Sequence, residues 1–266
     1  GLTAEQFENI PTEALSGFDS DDINLLRPDV IEVLDSASLN AMDASAISGF
    51  NGSQTGLIQP EAMSGLNGDT FVAFSGNAIG GLTADHVSNL PSDIFTQSDG
   101  SPNLSAIEQI AALQPEAVAG LSLEHIGHIP GDAPGPWDPI FEAHEGSDIG
   151  AVLTADQISN FSNNVFHNHF NSDVIAALSP EAASGISGDV MASINSEGMS
   201  GFTAEHIEAL PDDAFSAIND IKLENLDPSA MSAFTAEDID ALYSGASRGL
   251  TAEQFENIPT EALSGF

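Results

Sequence analysis

The sequence predicts an all-α fold, a superhelical solenoid built from very short helices, and three observations carry that expectation. The chain is periodic at eight residues and holds phase from Thr3 to Leu90 without an insertion. Two apolar positions, the fifth and the eighth, recur in each octad, and prolines recur at the second. A single long helix fails on both counts. Eight residues at about 100° each drift by about 80° per octad, so the apolar pair would spiral around the axis, and the prolines would break the helix. A β-solenoid is the rival, but positions 5 and 8 differ by an odd number and would face opposite sides of a strand. Ala, Glu and Pro are also poor strand residues.

The octads read TAEQFENI, PTEALSGF, DSDDINLL, RPDVIEVL, DSASLNAM and onward. Thr, Ser, Asp or Asn at position 1 suits a helix N-cap, and Pro28, Pro60, Pro115, Pro180 and Pro228 at position 2 suit the first helical residue. An acid at position 3, as at Glu5, Glu13, Asp21, Asp29, Glu181, Asp189 and Glu205, suits the positive helix end and places the charge outward in rows. Position 5, as in Phe7, Leu15, Ile23, Ile31 and Leu39, points inward together with position 8. Position 7 favours small residues, among them Gly17, Gly49, Gly65, Gly120, Gly185 and Gly201. That preference fits close packing between turns, and Gly or Asn near the helix end predicts a left-handed stop. Helices this short fall far below the roughly 12–15 residues that marginal helicity in water requires, so each octad must stack on its neighbours.

Three stretches interrupt the pattern. Residues 91–105 fill one position too few and residues 162–170 one too many, so the errors cancel. Residues 130–153 mostly lose the internal pattern and read as an outside loop or bulge, with Pro130, Pro134, Pro136 and the lone tryptophan, Trp137. Trp137 and Phe141 there are candidate partner contacts, or local cover for an interrupted core. Residues 1–18 recur letter for letter as residues 249–266, a second-order repeat of 248 residues. The expected organisation is one continuous array over residues 1–266, in which 249–266 opens a second 248-residue unit of a longer tandem array.

Composition narrows the function. With 41 acidic and 3 basic side chains the formal charge is −38, which makes nucleic-acid phosphate and anionic lipid poor partners. The 41% hydrophobic content supplies an interior of Leu, Ile, Val, Ala, Met and scattered Phe, so the chain is no disordered acidic tail. Without cysteine there are no disulfides, thiolate metal sites or cysteine nucleophiles. No apolar run reaches the roughly 18–20 residues of a membrane span, and the first residues carry no basic targeting region.

The chemistry-bearing residues point to no enzyme. No Gly-x-Ser-x-Gly elbow, phosphate-cradling loop or His-Glu-x-x-His pattern is present. His86, His125 and His206 stand at position 4, where Gln6 and Gln157 stand elsewhere, and read as exposed polar residues; Lys222 reads as a surface residue too. His167 and His169, in the irregular segment 162–170, are candidate contact or metal residues, while His128 and His144 add no ligand pattern. Calcium is the better inorganic candidate, because it prefers carboxylate and carbonyl oxygens. Asp19, Asp21 and Asp22 form the densest acidic cluster, and Asp99 lies with Asn103 in a turn, although neither group has EF-hand spacing.

The octads TAEQFENI, TADQISNF, TAEHIEAL and TAEDIDAL resemble the Leu-Thr-Ala-Glu-Gln-Ile-type short helical repeats of very large secreted or surface bacterial proteins. The resemblance implies an extracellular or cell-surface role, adhesin-like or filamentous, and brings no catalytic residues. The expected function is therefore a structural repeat protein forming a fibre, stalk or filament, self-associating end to end or as a tandem array. The alternative is a calcium- or salt-responsive adhesin that binds through the irregular loops.

Overall fold

The computed structural model describes residues 1–129 and 137–266. The chain is all-α, a succession of α- and 3-10 helices of three to seven residues. Among the described residues the one β pairing is an isolated bridge between Thr96 and Pro102. Two compact units divide the chain, residues 1–130 and 131–266.

Each octad folds as its residue types dictate. In residues 203–210, Thr203 is extended and its side chain accepts the N–H of His206, helix Ala204–Ala209 follows, and Leu210 is extended again. The same capping recurs at Asp35, Asn51, Asn67, Ser75, Thr83, Ser122, Thr154, Ser179, Ser187, Asn219, Thr235 and Thr251. Pro28, Pro60, Pro115, Pro180 and Pro228 open their helices, where a missing N–H leaves no bond unmade. The expected left-handed stop is not how the octad ends. The described glycines with positive φ are Gly100 and Gly245, neither at position 7. The chain instead turns through an extended residue at position 8, such as Phe74, Ile194 or Phe234, which carries the apolar side chain inward.

Position 7 is small for packing. A β-carbon at Gly65 would lie 2.5 Å from Ser36 Oγ, and one at Gly201 would lie 2.2 Å from the carbonyl oxygen of Ser172. Both approaches span 29 residues, position 7 of one octad meeting position 2 of the third octad before it. The same register runs through both units. In residues 1–130, helix Ser20–Asn24 packs on Ala44–Ile47, and Gly52–Thr55 on Gly76–Ile79. In residues 131–266, Pro180–Ala183 packs on Ala204–Ala209, and Asp212–Phe215 on Ala236–Ala241.

The interior contains positions 5 and 8, as expected, with Ile23, Ile31, Leu39, Ile47, Phe50, Met63, Phe71 and Ile79 buried. Position 3 faces outward, with Glu5, Glu13, Asp21, Glu181, Asp189 and Glu205 exposed and Asp29 half-buried. Residues 130–136 of the expected outer loop lie outside the described residues. From Trp137 onward that stretch is helical, over Asp138–Ala143 and Gly146–Gly150, and so is Asn163–His169. The stretch 91–105 keeps a 3-10 turn at Ser92–Phe95, which buries Ile94 and Phe95, before a tight loop around Gly100.

Candidate functional site

Position 4, which the sequence presents as part of the polar outside, is an inner position in most octads, although Gln6, Ala14 and Asp22 are exposed. His86, His125, Gln157, His206, Lys222 and Gln254 are all buried, which corrects the reading of these histidines and of Lys222 as surface residues. The physical reason is a carbonyl within reach one stack away. His86 Nε2 lies 2.6 Å from the oxygen of Ile58, His125 Nε2 2.8 Å from that of Leu90, and His206 Nε2 2.7 Å from that of Leu178. Gln54 Nε2 donates to the Ile23 oxygen at 2.8 Å, and Gln109 Nε2 to those of Val72 and Phe74 at 3.0 Å each.

The second polar atom of the same side chain closes the capping box of its own octad. Nδ1 of His86, His125 and His206 accepts the backbone N–H of Thr83, Ser122 and Thr203 at 3.0–3.2 Å. A backbone N–H only donates, so Nδ1 is the bare nitrogen and the proton sits on Nε2, which donates to the carbonyl. Gln157 and Gln254 accept the N–H of Thr154 and Thr251 through Oε1 in the same way. Glutamine and neutral histidine are interchangeable here because each pairs one acceptor with one donor at similar reach. No buried side-chain nitrogen or oxygen among the described residues lacks a partner, as stable interiors require.

Lys222 has donors only. Its octad is capped by Asn219 without a reciprocal bond, and Nζ donates to the carbonyls of Met191 and, at 3.0 Å, Ala192. Burial lowers its pKa from the ordinary 10.5 to about 8.

The calcium candidates are engaged in caps and turns. Asp19 Oδ1 accepts the N–H of Asp21 and of Asp22, while Asp22 Oδ2 accepts the N–H of Asp19; the Asp21 side chain is exposed. Asp99 Oδ1 accepts Ser101 Oγ–H at 2.6 Å and Ser101 N–H at 2.9 Å, bonds that hold this carboxyl below the usual carboxylate range. Asn103 caps helix Leu104–Gln109 and donates to the Ile94 oxygen. Among the described residues, no group of three or more His, Asp or Glu side chains converges as a metal set.

Of the contact candidates, Trp137 is 3% exposed, its ring 4.7 Å from that of Phe161, the arrangement of local core cover, the second of the two readings its sequence allowed. Half-buried Phe141 stacks on His169 at 4.7 Å and 7°, while His167 remains exposed. These aromatics form a local cluster with Phe166 and Phe170 that fills the interruption. No described helix is long and apolar enough to cross a membrane. No protein-family model matches the chain, and no curated protein matches its sequence.

Proposed function

We propose that the chain is a structural repeat protein, a solenoid of octad mini-helices that builds an extended extracellular fibre, stalk or filament and has no catalytic role. The observation that supports this reading best is the use made of position 4. The buried polar side chains cited above bond to backbone of the stack itself, leaving a lattice of mutually supporting octads rather than a set of groups converging on a ligand. Outward carboxylates at position 3, within a formal charge of −38, favour solubility and oppose lateral clumping of like-charged surfaces. The extracellular assignment rests on the resemblance of the octads to the repeats of large secreted and surface bacterial proteins.

Circular dichroism and protease resistance, followed in physiological salt with and without a calcium chelator, test this reading. A scaffold held by apolar burial and backbone bonds keeps both signals unchanged. A chelator-induced loss of helix or of protection would favour the calcium-responsive adhesin instead.

A further inference from the structure

His125 and His206 are enclosed, 2% and 3% exposed, and each uses both ring nitrogens. Nδ1 of His125 accepts the Ser122 N–H at 3.0 Å, and Nδ1 of His206 the Thr203 N–H at 3.2 Å. On the far side, Nε2 donates to the carbonyl of Leu90, 35 residues earlier, and to that of Leu178, 28 residues earlier. Only a neutral ring fits such a slot. An imidazolium carries N–H on both nitrogens, so a proton on Nδ1 would point at the N–H it now accepts, and burial removes the water that would otherwise receive it. His86 is a looser case, because the Thr83 hydroxyl lies 2.8 Å from Nδ1 and can turn a lone pair towards a proton there. Gln54 and Gln157 close the same cap with an amide that does not titrate, Oε1 accepting the N–H of Asn51 at 3.1 Å and of Thr154 at 3.0 Å. The octads that meet His125 carry exposed Asp85, Asp93 and Glu124, and half-buried His128, which pairs with the Thr96 hydroxyl. Those that meet His206 carry Asp173, Glu181, Glu205, Glu208 and Asp227, all exposed. Glu205 is near enough to attract charge on His206, yet neither ring nitrogen bonds to it.

We propose that His125 and His206 are acid-released latches. Proton uptake at Nδ1 drives the ring out of its slot, which frees the cap of its own helix and the carbonyl one stack away together, while turns tied by glutamine stay closed. The sign follows from proton binding. An ordinary histidine is protonated below about pH 6.5, so the opened turn gains a proton there that the closed turn cannot hold without losing a bond. Opening is therefore favoured as pH falls through that value, and the turns regain their full hold above it. Ordinary carboxylates titrate near pH 4, well below this window. The inference goes beyond the scaffold role and does not depend on it, since the latch belongs to the stack whatever the stack builds.

Amide hydrogen exchange of the full chain, read by NMR at about pH 7.5 and about pH 5.5 and corrected for the chemical exchange rate at each pH, tests the latches. Protection of the Ser122 and Thr203 amides should fall about tenfold between the two, the factor by which an ordinary histidine in the opened turn gains protonation. The Asn51 and Thr154 amides should keep their protection. Nitrogen-15 shifts of the two rings at about pH 7.5 should place the proton on Nε2. In H125Q/H206Q the acid-induced fall should vanish at both sites. The proposal is overturned by constant protection of the Ser122 and Thr203 amides, by an equal fall at Asn51 and Thr154, by a fall that survives in H125Q/H206Q, or by a proton on Nδ1. Should the double variant fail to fold, the comparison of histidine-tied with glutamine-tied amides inside the native chain decides alone.

Discussion

His206 Nε2 lies 2.7 Å from the carbonyl oxygen of Leu178, 28 residues earlier, while Nδ1 of the same ring accepts the N–H of Thr203, the cap of its own helix. One side chain thus ties the start of a mini-helix to the end of another a full stack away. Such helices cannot persist alone, so the stability of each is a property of the stack.

Replacing His206 therefore separates hydrogen bonding from size. H206Q keeps an acceptor for Thr203 and a donor for Leu178, as Gln254 does for its own octad, and should change unfolding free energy by less than about 1 kcal/mol. H206L fills the space but leaves a buried carbonyl and a cap N–H unpaired, and should lose about 2–4 kcal/mol. Urea unfolding followed by circular dichroism measures both; equal losses would show that the ring acts by packing alone.

Gly17 and Gly201 occupy the same octad position with different surroundings. G201A places a methyl group against the Ser172 oxygen at a separation no packed structure tolerates, and should lower stability by about 2 kcal/mol or more. G17A meets open space within a 3-10 turn and should be neutral, or stabilising by up to about 1 kcal/mol. Thermal melts of the two variants give the comparison.

Much of this was legible beforehand, and what was missed has a common cause. Asn51, Thr83 and Thr203 announce helix starts by residue type alone, and Pro28 and Pro180 announce first turns, because both effects are local. Ile23 and Leu39 announce the interior by period. His86, Gln254 and Lys222 gave no such signal, since a polar side chain is buried favourably only when a distant acceptor is in place, and that acceptor is a backbone carbonyl without residue identity. A trace was available nonetheless: position 4 alternates such residues with Ala46, Ala62, Ala78 and Ala182, small apolar residues unsuited to an outer face. At Trp137 the proline-rich flank that breaks the octad leaves outward contact and core cover equally open from sequence, although Pro139 is itself a helix-start signal.

Lys222 should make stability depend on pH above neutrality. The unfolded lysine keeps its proton up to about 10.5, whereas the folded one releases it near 8. Between those values the unfolded state holds more protons, so stability rises with pH through that window and is lower below it. The urea midpoint of the native chain should climb between about pH 7.5 and 9.5, while K222Q, with the residue found at positions 54, 109 and 254, should stay flat. A midpoint that falls over that range in the native chain, or the same rise in both proteins, would assign the effect to another group.

The central claim is the register itself, octad upon third octad, and the absence of native cysteine allows it to be read directly. A β-carbon at Gly65 would lie 2.9 Å from Ser36 Cβ, on a rim where a small shift brings a cysteine pair to the roughly 3.5–4.5 Å of a disulfide. Leu57 and Ala73 hold the same octad position one octad before and one after Gly65. Three double-cysteine chains, S36C/G65C, S36C/L57C and S36C/A73C, oxidised at low concentration and scored by the fraction of intramolecular disulfide, constitute the measurement. The three-octad stack predicts rapid and nearly complete closure for S36C/G65C and little for the other two. Equal closure of all three, or preferred closure at Leu57 or Ala73, would contradict it.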